Sequence, residues 1–383
     1  MFFDIVLYIT LVIFGIGMVY KSSTWFWQNV GMGEKDISTL RRVYAATKGI
    51  LGTVLSGRIL VLFKVFVLDV LLQIRVLKDD EDRILWVMHI FIFVGFMLLL
   101  LMHALGSIIT SSLFSNYQPT LNPFLFLRNF FGVLVIAGLV LAIVRRGVLK
   151  KGRLKTNAVD YYVIVILAVI IISGFLLEGT KISSYSAYQR MVEDYSSAIE
   201  ESELQALEAF WVEDFGVVSR KAKIPFSAEM LAQGKELHEM SCASCHSRPQ
   251  SAFISYGVNK ATKSIALGVD RAGVGTLLWY IHFLSCFFGL AYLPFGKMFH
   301  VLATPVSLLV TAVIDSARED LANVATRQMI ELAGCSHGGT CRLECSVRRK
   351  RQERIEMTSQ FDPMLEYVAG KHWKDLGSRY VEG

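Results

Sequence analysis

The sequence predicts an all-α membrane protein of five transmembrane helices, with an extracytoplasmic insertion and a cytoplasmic C-terminal tail. Three observations predict the membrane architecture. Of 383 residues, 53% are hydrophobic, and the mean hydropathy is positive. The apolar residues fall in runs of about twenty, the length that crosses a hydrocarbon core of about 30 Å. The basic residues behind the net charge of +6 gather in short segments beside those runs. Such placement orients a chain in a membrane and does not call for nucleic acid.

The runs are roughly 4–20, 84–109, 124–144, 159–178 and 275–300. The first begins almost at Met1 with no small-residue cleavage site after it, and is expected to be a retained helix acting as an uncleaved signal. A further apolar stretch, 59–77, carries Lys64, Asp69 and Arg75. Charges at the centre of a span are costly, whereas a charged stripe suits a helix lying in the interface.

Topology agrees with that reading of 59–77. Arg41, Arg42 and Lys48 follow the first run, and Arg145, Arg146, Lys150, Lys151, Arg153 and Lys155 separate the third from the fourth. The positive-inside rule puts both segments in the cytoplasm, which requires a single crossing between Asp79 and Leu121. The expected organisation is a membrane domain over 1–178, a periplasmic insertion over 179–273, a fifth span with adjoining apolar residues over 274–315, and a cytoplasmic tail over 316–383. The N-terminus then lies outside, in the periplasm of a bacterial inner membrane.

Within the insertion lies Cys242-Ala-Ser-Cys245-His246. In a C-x-x-C-H segment two thiols can add across the haem vinyl groups while the adjacent histidine ligates iron. A disulfide or half of a zinc site are the alternatives. The helix-like Ala232–Leu237 stretch before the motif resembles the lead-in helix of small cytochromes c. The predicted side, outside, is where haem c is attached in bacteria. One covalent haem c is expected, with Cys242 and Cys245 as thioethers and His246 as axial ligand. No Met or His lies between His246 and the next span, and Met191, Met230, His238 and Met240 lie upstream.

Four of the eight histidines fall within or at the ends of spans: His89, His103, His282 and His300. An intramembrane histidine needs a partner, so each is a functional candidate. His89 and His103 are 14 residues apart, about 40° apart on a helix and separated by a rise of about 21 Å. His282 and His300 are 18 apart, on one face of an ideal helix, with Pro294 expected to kink it. With the two helices antiparallel, His89 pairs with His300 near the cytoplasmic surface and His103 with His282 near the outer one. Two haems b, each with two histidine ligands, are the expectation; structural histidines or a single haem are the alternatives.

The segments Tyr280-Ile-His282 and Leu293-Pro294-Phe295-Gly-Lys297-Met-Phe-His300 resemble the last haem-binding helix of the respiratory nitrate reductase gamma subunit family. The resemblance covers about 1–178 and 275–315 and implies five spans and two haems b held by crossed histidine pairs. The 179–273 insertion and the long tail depart from that family. They make the chain look closer to the membrane cytochrome subunits of sulfate-reducing anaerobes, in Dsr-type sulfite-reduction complexes or complexes fed by periplasmic multihaem cytochrome c. That branch implies a cytoplasmic iron–sulfur partner resembling the catalytic subunit of heterodisulfide reductase, with menaquinone as substrate in the bilayer, in a hetero-oligomeric complex.

The tail holds Cys335, Cys341 and Cys345, with His337 between the first two. Their spacing fits zinc or an iron–sulfur cluster only loosely, and reduced thiols on a partner-docking tail are the plainer reading. Cys286 reads as an apolar packing residue. The function expected is electron transfer across the membrane between periplasmic cytochrome c or the quinone pool and the cytoplasmic partner. The alternatives are a self-contained quinol:cytochrome c oxidoreductase and a redox-silent anchor subunit.

Overall fold

A computed structural model describes residues 2–28, 37–77, 83–148, 158–222, 224–314 and 320–334. Every regular element in them is helical. In chain order the α-helices are α1 (Phe2–Trp27), α2 (Thr39–Val54), α3 (Ile59–Val65), α4 (Ile74–Leu77), α5 (Arg83–Met102) and α6 (Ser111–Leu113). Next come α7 (Phe124–Gly147), α8 (Ala158–Ser183), α9 (Tyr185–Tyr195), α10 (Glu201–Phe210), α11 (Ala228–Ser241) and α12 (Phe253–Thr262). The last are α13 (Ala266–Arg271), α14 (Val274–Tyr292), α15 (His300–Val313) and α16 (Leu321–Gly334).

Five helical segments are long and apolar enough to cross a membrane: Phe2–Trp27, Arg83–Met102, Phe124–Gly147, Ala158–Ser183 and Val274–Phe295. The chain is a multi-pass membrane protein. Large apolar side chains stay exposed along these helices, among them Ile16, Val19, Val140, Ile143 and Ile172. In water such a surface would be a liability, but against lipid it is the expected exterior.

Three expected helices are interrupted. The 59–77 stretch is no single interfacial helix, because α3 passes into a π-helical turn (Phe66–Leu71) and Gln73 takes a left-handed φ of 51° before α4. The α-helix expected to run to 109 stops at Met102, and a turn leads to a second π-helical stretch (Gly106–Thr110). The last span stops at Tyr292. Pro294 lacks the N–H that would continue the ladder, and Gly296 is extended (φ −108°, ψ −175°). Two 3₁₀ turns then lead into α15, so His282 and His300 do not share one ideal helix face.

The chain forms two compact units, one of residues 1–86, 142–165 and 287–383, the other of 87–141 and 166–286. In the first, α2 and α16 pack with α1 around Arg42. The buried Arg42 guanidinium donates to the carbonyls of Trp25 and Gln28 (2.5 and 2.7 Å) and to Thr326 Oγ1 (3.1 Å). Thus the stretch expected as a partner-docking tail begins, over Leu321–Gly334, with a helix packed against α1 and α2. Ala322, Ala325, Thr326, Met329 and Ile330 recur at helical spacing and are buried. The cysteines Cys335, Cys341 and Cys345 lie outside the described residues.

In the second unit, α5 meets α7 where Gly95 lies against Phe131 and Val135, and Gly138 against Met88 and Ile92. Small residues at such crossings let membrane helices approach closely. Outside the spans, Tyr188, Leu207, Phe210, Trp211, Phe215, Val217 and Leu237 form an apolar core with Cys242 at its edge. There α10 and α11 cross at Gly234, where an added Cβ would overlap the Ala206 carbonyl oxygen. Gly234→Val is expected to force α10 and α11 apart at a cost of about 1–3 kcal/mol. Faster proteolysis of the 184–273 region in the purified chain would register it, and wild-type resistance would contradict the crossing.

Candidate functional site

The second unit holds three of the four intramembrane histidines. His89 sits within α5, His103 one residue past its end, and His282 mid-way along α14. His300 opens α15 in the first unit.

The rings of His103 and His282 lie 5.9 Å apart, centre to centre, at 68°. Metal–imidazole bonds are about 2.0–2.1 Å long, so one iron held between two imidazoles puts their centres roughly 6 Å apart, and the pair fits a single shared metal. His282 is oriented from behind: its Nδ1 lies 3.0 Å from the Ile170 carbonyl and 3.1 Å from Ser173 Oγ on α8. A carbonyl oxygen only accepts, so Nδ1 carries the proton and Nε2 keeps the lone pair that a metal takes. This approach needs Gly174, whose added Cβ would meet His282 Cε1 at 3.2 Å. His300 shows the same arrangement, its Nδ1 donating to the Lys297 carbonyl. Both histidines are therefore fixed in the tautomer of a metal ligand.

The break after Met102 matters here. Thr110 Oγ1 donates to the Leu101 carbonyl (2.7 Å), and the Tyr117 hydroxyl to that of Met102. The α5–α7 connection is thereby folded back on the end of α5, and His103 sits in the turn so formed.

The Cys242–His246 motif follows α11 as a tight turn, with Cys245 N–H and His246 N–H both donating to the Cys242 carbonyl (3.0 and 2.9 Å). It docks onto the same α5–α7 connection. Thr120 Oγ1 donates to the Cys245 carbonyl, Ser247 N–H to the Thr120 carbonyl (3.0 Å), and Asn122 Nδ2 to Ser251 Oγ (2.7 Å). One short connection thus carries His103 at one end and the motif at the other.

Cys242 and Cys245 are free thiols. Burial, and then the neighbouring Cys245, push the Cys242 thiol up to about 11, so its pocket favours a neutral sulfur. A thioether suits such a pocket better than a zinc-bound thiolate. Among the described residues no group of three His, Cys, Asp or Glu side chains is arranged to hold a metal ion. Burial holds His246 below the usual imidazole range and so keeps it neutral, the ligating form. Around the motif, Trp211 Nε1, Tyr188 Oη and His238 Nδ1 are buried with no hydrogen-bond partner among the described residues. Orphaned polar atoms of this kind usually mark the place of another group, and an attached haem fits them. His246 and His238 pack against the Trp211 indole at 5.5 and 5.6 Å. Of the upstream residues, His238 is buried, Met191 and Met230 pack against the core, and Met240 is exposed.

Sequence reasoning missed a polar cluster joining α7, α8 and α12. Glu178 Oε2 accepts from Asn129 Nδ2 and Ser255 Oγ, both at 2.7 Å, and Asn129 Oδ1 accepts from the Ile254 and Ser255 N–H groups. Asn129 and Ser255 are buried. The network ties α12 to α7 and α8. The only local signal was an Asp/Glu and an Asn near span ends.

Fold and site define a helical multi-pass membrane protein in which a histidine just past one span meets a histidine of another. Residues 63–221 match the family model of HdrE, a subunit of dihydromethanophenazine:CoB–CoM heterodisulfide reductase. The chain is similar to that subunit from Methanosarcina thermophila, at 31% identity over 126 residues, 31% of this chain and 47% of the relative. The Methanosarcina barkeri counterpart is 32% identical over the same length and shares. The chain spans about half the length of the curated relatives it matches. Over this stretch the likeness is to the heterodisulfide reductase protein, and not specifically to the nitrate reductase gamma subunit that the last span suggested. No solved structure matches. The matched stretch includes His89 and His103 and ends before the Cys242 motif and the last span.

Proposed function

We propose that this chain is a haem-bearing electron-transfer subunit of a heterodisulfide reductase-like membrane complex. The observation that carries the reading is the His103–His282 pair, 5.9 Å apart, with the Cys242–His246 motif docked on the connection that follows His103. The similarity of residues 63–221 to the HdrE family supports it.

In this reading His103 and His282 hold one haem b, His89 and His300 a second, and Cys242, Cys245 and His246 a haem c. Bound there, the haems supply one-electron redox chemistry, which belongs to the cofactors. The chain's own residues do the rest. Ile170 and Lys297 carbonyls fix the tautomers of His282 and His300. The aromatic wall of Phe210, Trp211 and Phe215 excludes water from the motif. Thr120 and Asn122 hold the motif against the α5–α7 connection.

The relatives are named for dihydromethanophenazine, and the corresponding carrier here is a membrane-soluble quinone of the menaquinone kind. A cytoplasmic iron–sulfur subunit and a periplasmic multihaem cytochrome c are the proposed partners, and the chain's N-terminus and 179–273 segment face the periplasm.

Affinity purification of the full chain from its native membrane tests this. The expected result is an iron–sulfur subunit that co-purifies, with haem b in the preparation. Haem b with no iron–sulfur subunit would favour the self-contained quinol:cytochrome c oxidoreductase. An iron–sulfur subunit with no haem in this chain would leave only an anchor.

A further inference from the structure

Near the His103–His282 pair, α7 and α8 carry two cations beside one carboxylate, Glu178. Arg128 lies one turn into α7, and Lys181 on the last turn of α8. Lys181 lies seven residues, about two turns, beyond Gly174, the α8 residue that lies against His282, and Arg128 stands 3.8 Å from Glu178, three residues before Lys181. Glu178 serves one of them: its Oε1 pairs with Arg128 at 3.8 Å, while its Oε2 accepts from Asn129 and Ser255. Arg128 Nη1 donates to the Pro119 carbonyl (3.0 Å). Lys181 makes no ion pair among the described residues. Two cations against one carboxylate leave a surplus positive charge at the margin of an apolar bundle, where an unbalanced charge is costly. The position calls for an anion within about two helical turns of the His282 contact on α8.

We propose that Arg128 and Lys181 form the carboxylate-binding end of the His103–His282 site and receive the propionate groups of the haem b that these histidines ligate. The inference rests on the haem reading above and names the side chains that orient the ring once its iron is held. A guanidinium suits a carboxylate through paired N–H donors, and a flexible ammonium suits the second as a point charge. Each cation also favours the reduced haem, which carries one more electron, so losing a cation disfavours reduction.

The test uses the purified full chain in wild-type, Lys181→Met, Arg128→Gln and doubly substituted forms, with Lys263→Met as a control on an exposed cation. Haem b is counted by pyridine haemochrome and titrated potentiometrically. At the ambient potential where the affected haem is half reduced in the wild type, the reduced-to-oxidised ratio is expected to fall about tenfold in the double variant, equivalent to about 59 mV for a one-electron couple. Lys181→Met alone is expected to give a smaller fall in the same direction, Lys181→Arg to restore the ratio, and Lys263→Met to leave it unchanged. Loss of one haem b from the double variant, with the other retained, would also support the assignment. Arg128 fastens the α5–α7 connection, so if its variants do not fold the Lys181 series decides. Two retained haems with unchanged ratios in Lys181→Met and the double variant would overturn the proposal, as it would be if the cations serve an anionic lipid headgroup. A wild-type chain without haem b would instead overturn the haem reading itself.

Discussion

Replacing Cys242 and Cys245 with serine is expected to abolish haem staining of the denatured chain while leaving the extractable haem b untouched. The expected change is from one covalent haem per chain to none, because no other cysteine pair stands in a C-x-x-C-H segment. The structure gives physical grounds for a thioether. The Cys242 thiol is held near 11 by burial, the two sulfurs are not joined, and the described residues offer no third metal ligand beside them. The surroundings are aromatic, and Trp211 Nε1 and Tyr188 Oη are buried there with no hydrogen-bond partner among the described residues. Denaturing electrophoresis with haem stain reads the outcome directly. A wild-type chain that takes no stain would reduce the pair to reduced thiols or a disulfide, and the proposed link to a periplasmic cytochrome would go with it.

Removing the imidazole of His282 should halve the extractable haem b. His282→Ala deletes one of two axial ligands and leaves the carbonyl of Ile170 and the hydroxyl of Ser173 facing the vacated space. His103→Ala should cause the same loss, and the double substitution should cause no more than either alone. Residues that act through one shared iron are not additive. Combining His282→Ala with His89→Ala should remove both haems, since His89 belongs to the other proposed pair. Pyridine haemochrome quantification per chain separates these cases. Full haem b in His282→Ala would mean that the His103–His282 contact is a packing interaction between spans. A further loss in the His103/His282 double variant would mean that the two rings serve different irons.

These expectations draw unequally on sequence and on structure. The number of spans was legible because crossing a membrane requires a long apolar run, and length is a local property of the chain. The intramembrane histidines stood out because polar groups there are costly. The C-x-x-C-H segment was legible because its chemistry lies within five consecutive residues. Arg128 and Lys181 were not legible, since lysine and arginine near span ends are ordinary interfacial residues in any sequence. Tyr188, Trp211 and Phe215 likewise read as plain apolar content.

Helix continuity also misled. Helical spacing placed His103 on the face of an unbroken span, yet α5 stops at Met102, and the hydroxyls of Thr110 and Tyr117 bond carbonyls near its end. The carbonyls at a helix end need partners, and here residues several positions further on supply them. Pro294 announced a kink, but the extended backbone at Gly296 turns the kink into an end. The start of the expected tail, by contrast, carried its own signal in the helical spacing of Ala322, Ala325, Met329 and Ile330.

Apolar run length and local motif spacing are enough to establish a five-span, all-helical membrane protein with a C-x-x-C-H segment and four histidines in or beside its spans. Which of those groups meet is a matter of how the helices pack. The 5.9 Å between His103 and His282, the docking of Cys245 on Thr120, and the gathering of Arg128, Glu178 and Lys181 all join residues from separate helices or connections. Periodicity orders a chain along one helix at a time. Contacts between helices are set by where small residues let backbones approach and where buried polar groups find partners, and neither is a property of any single segment.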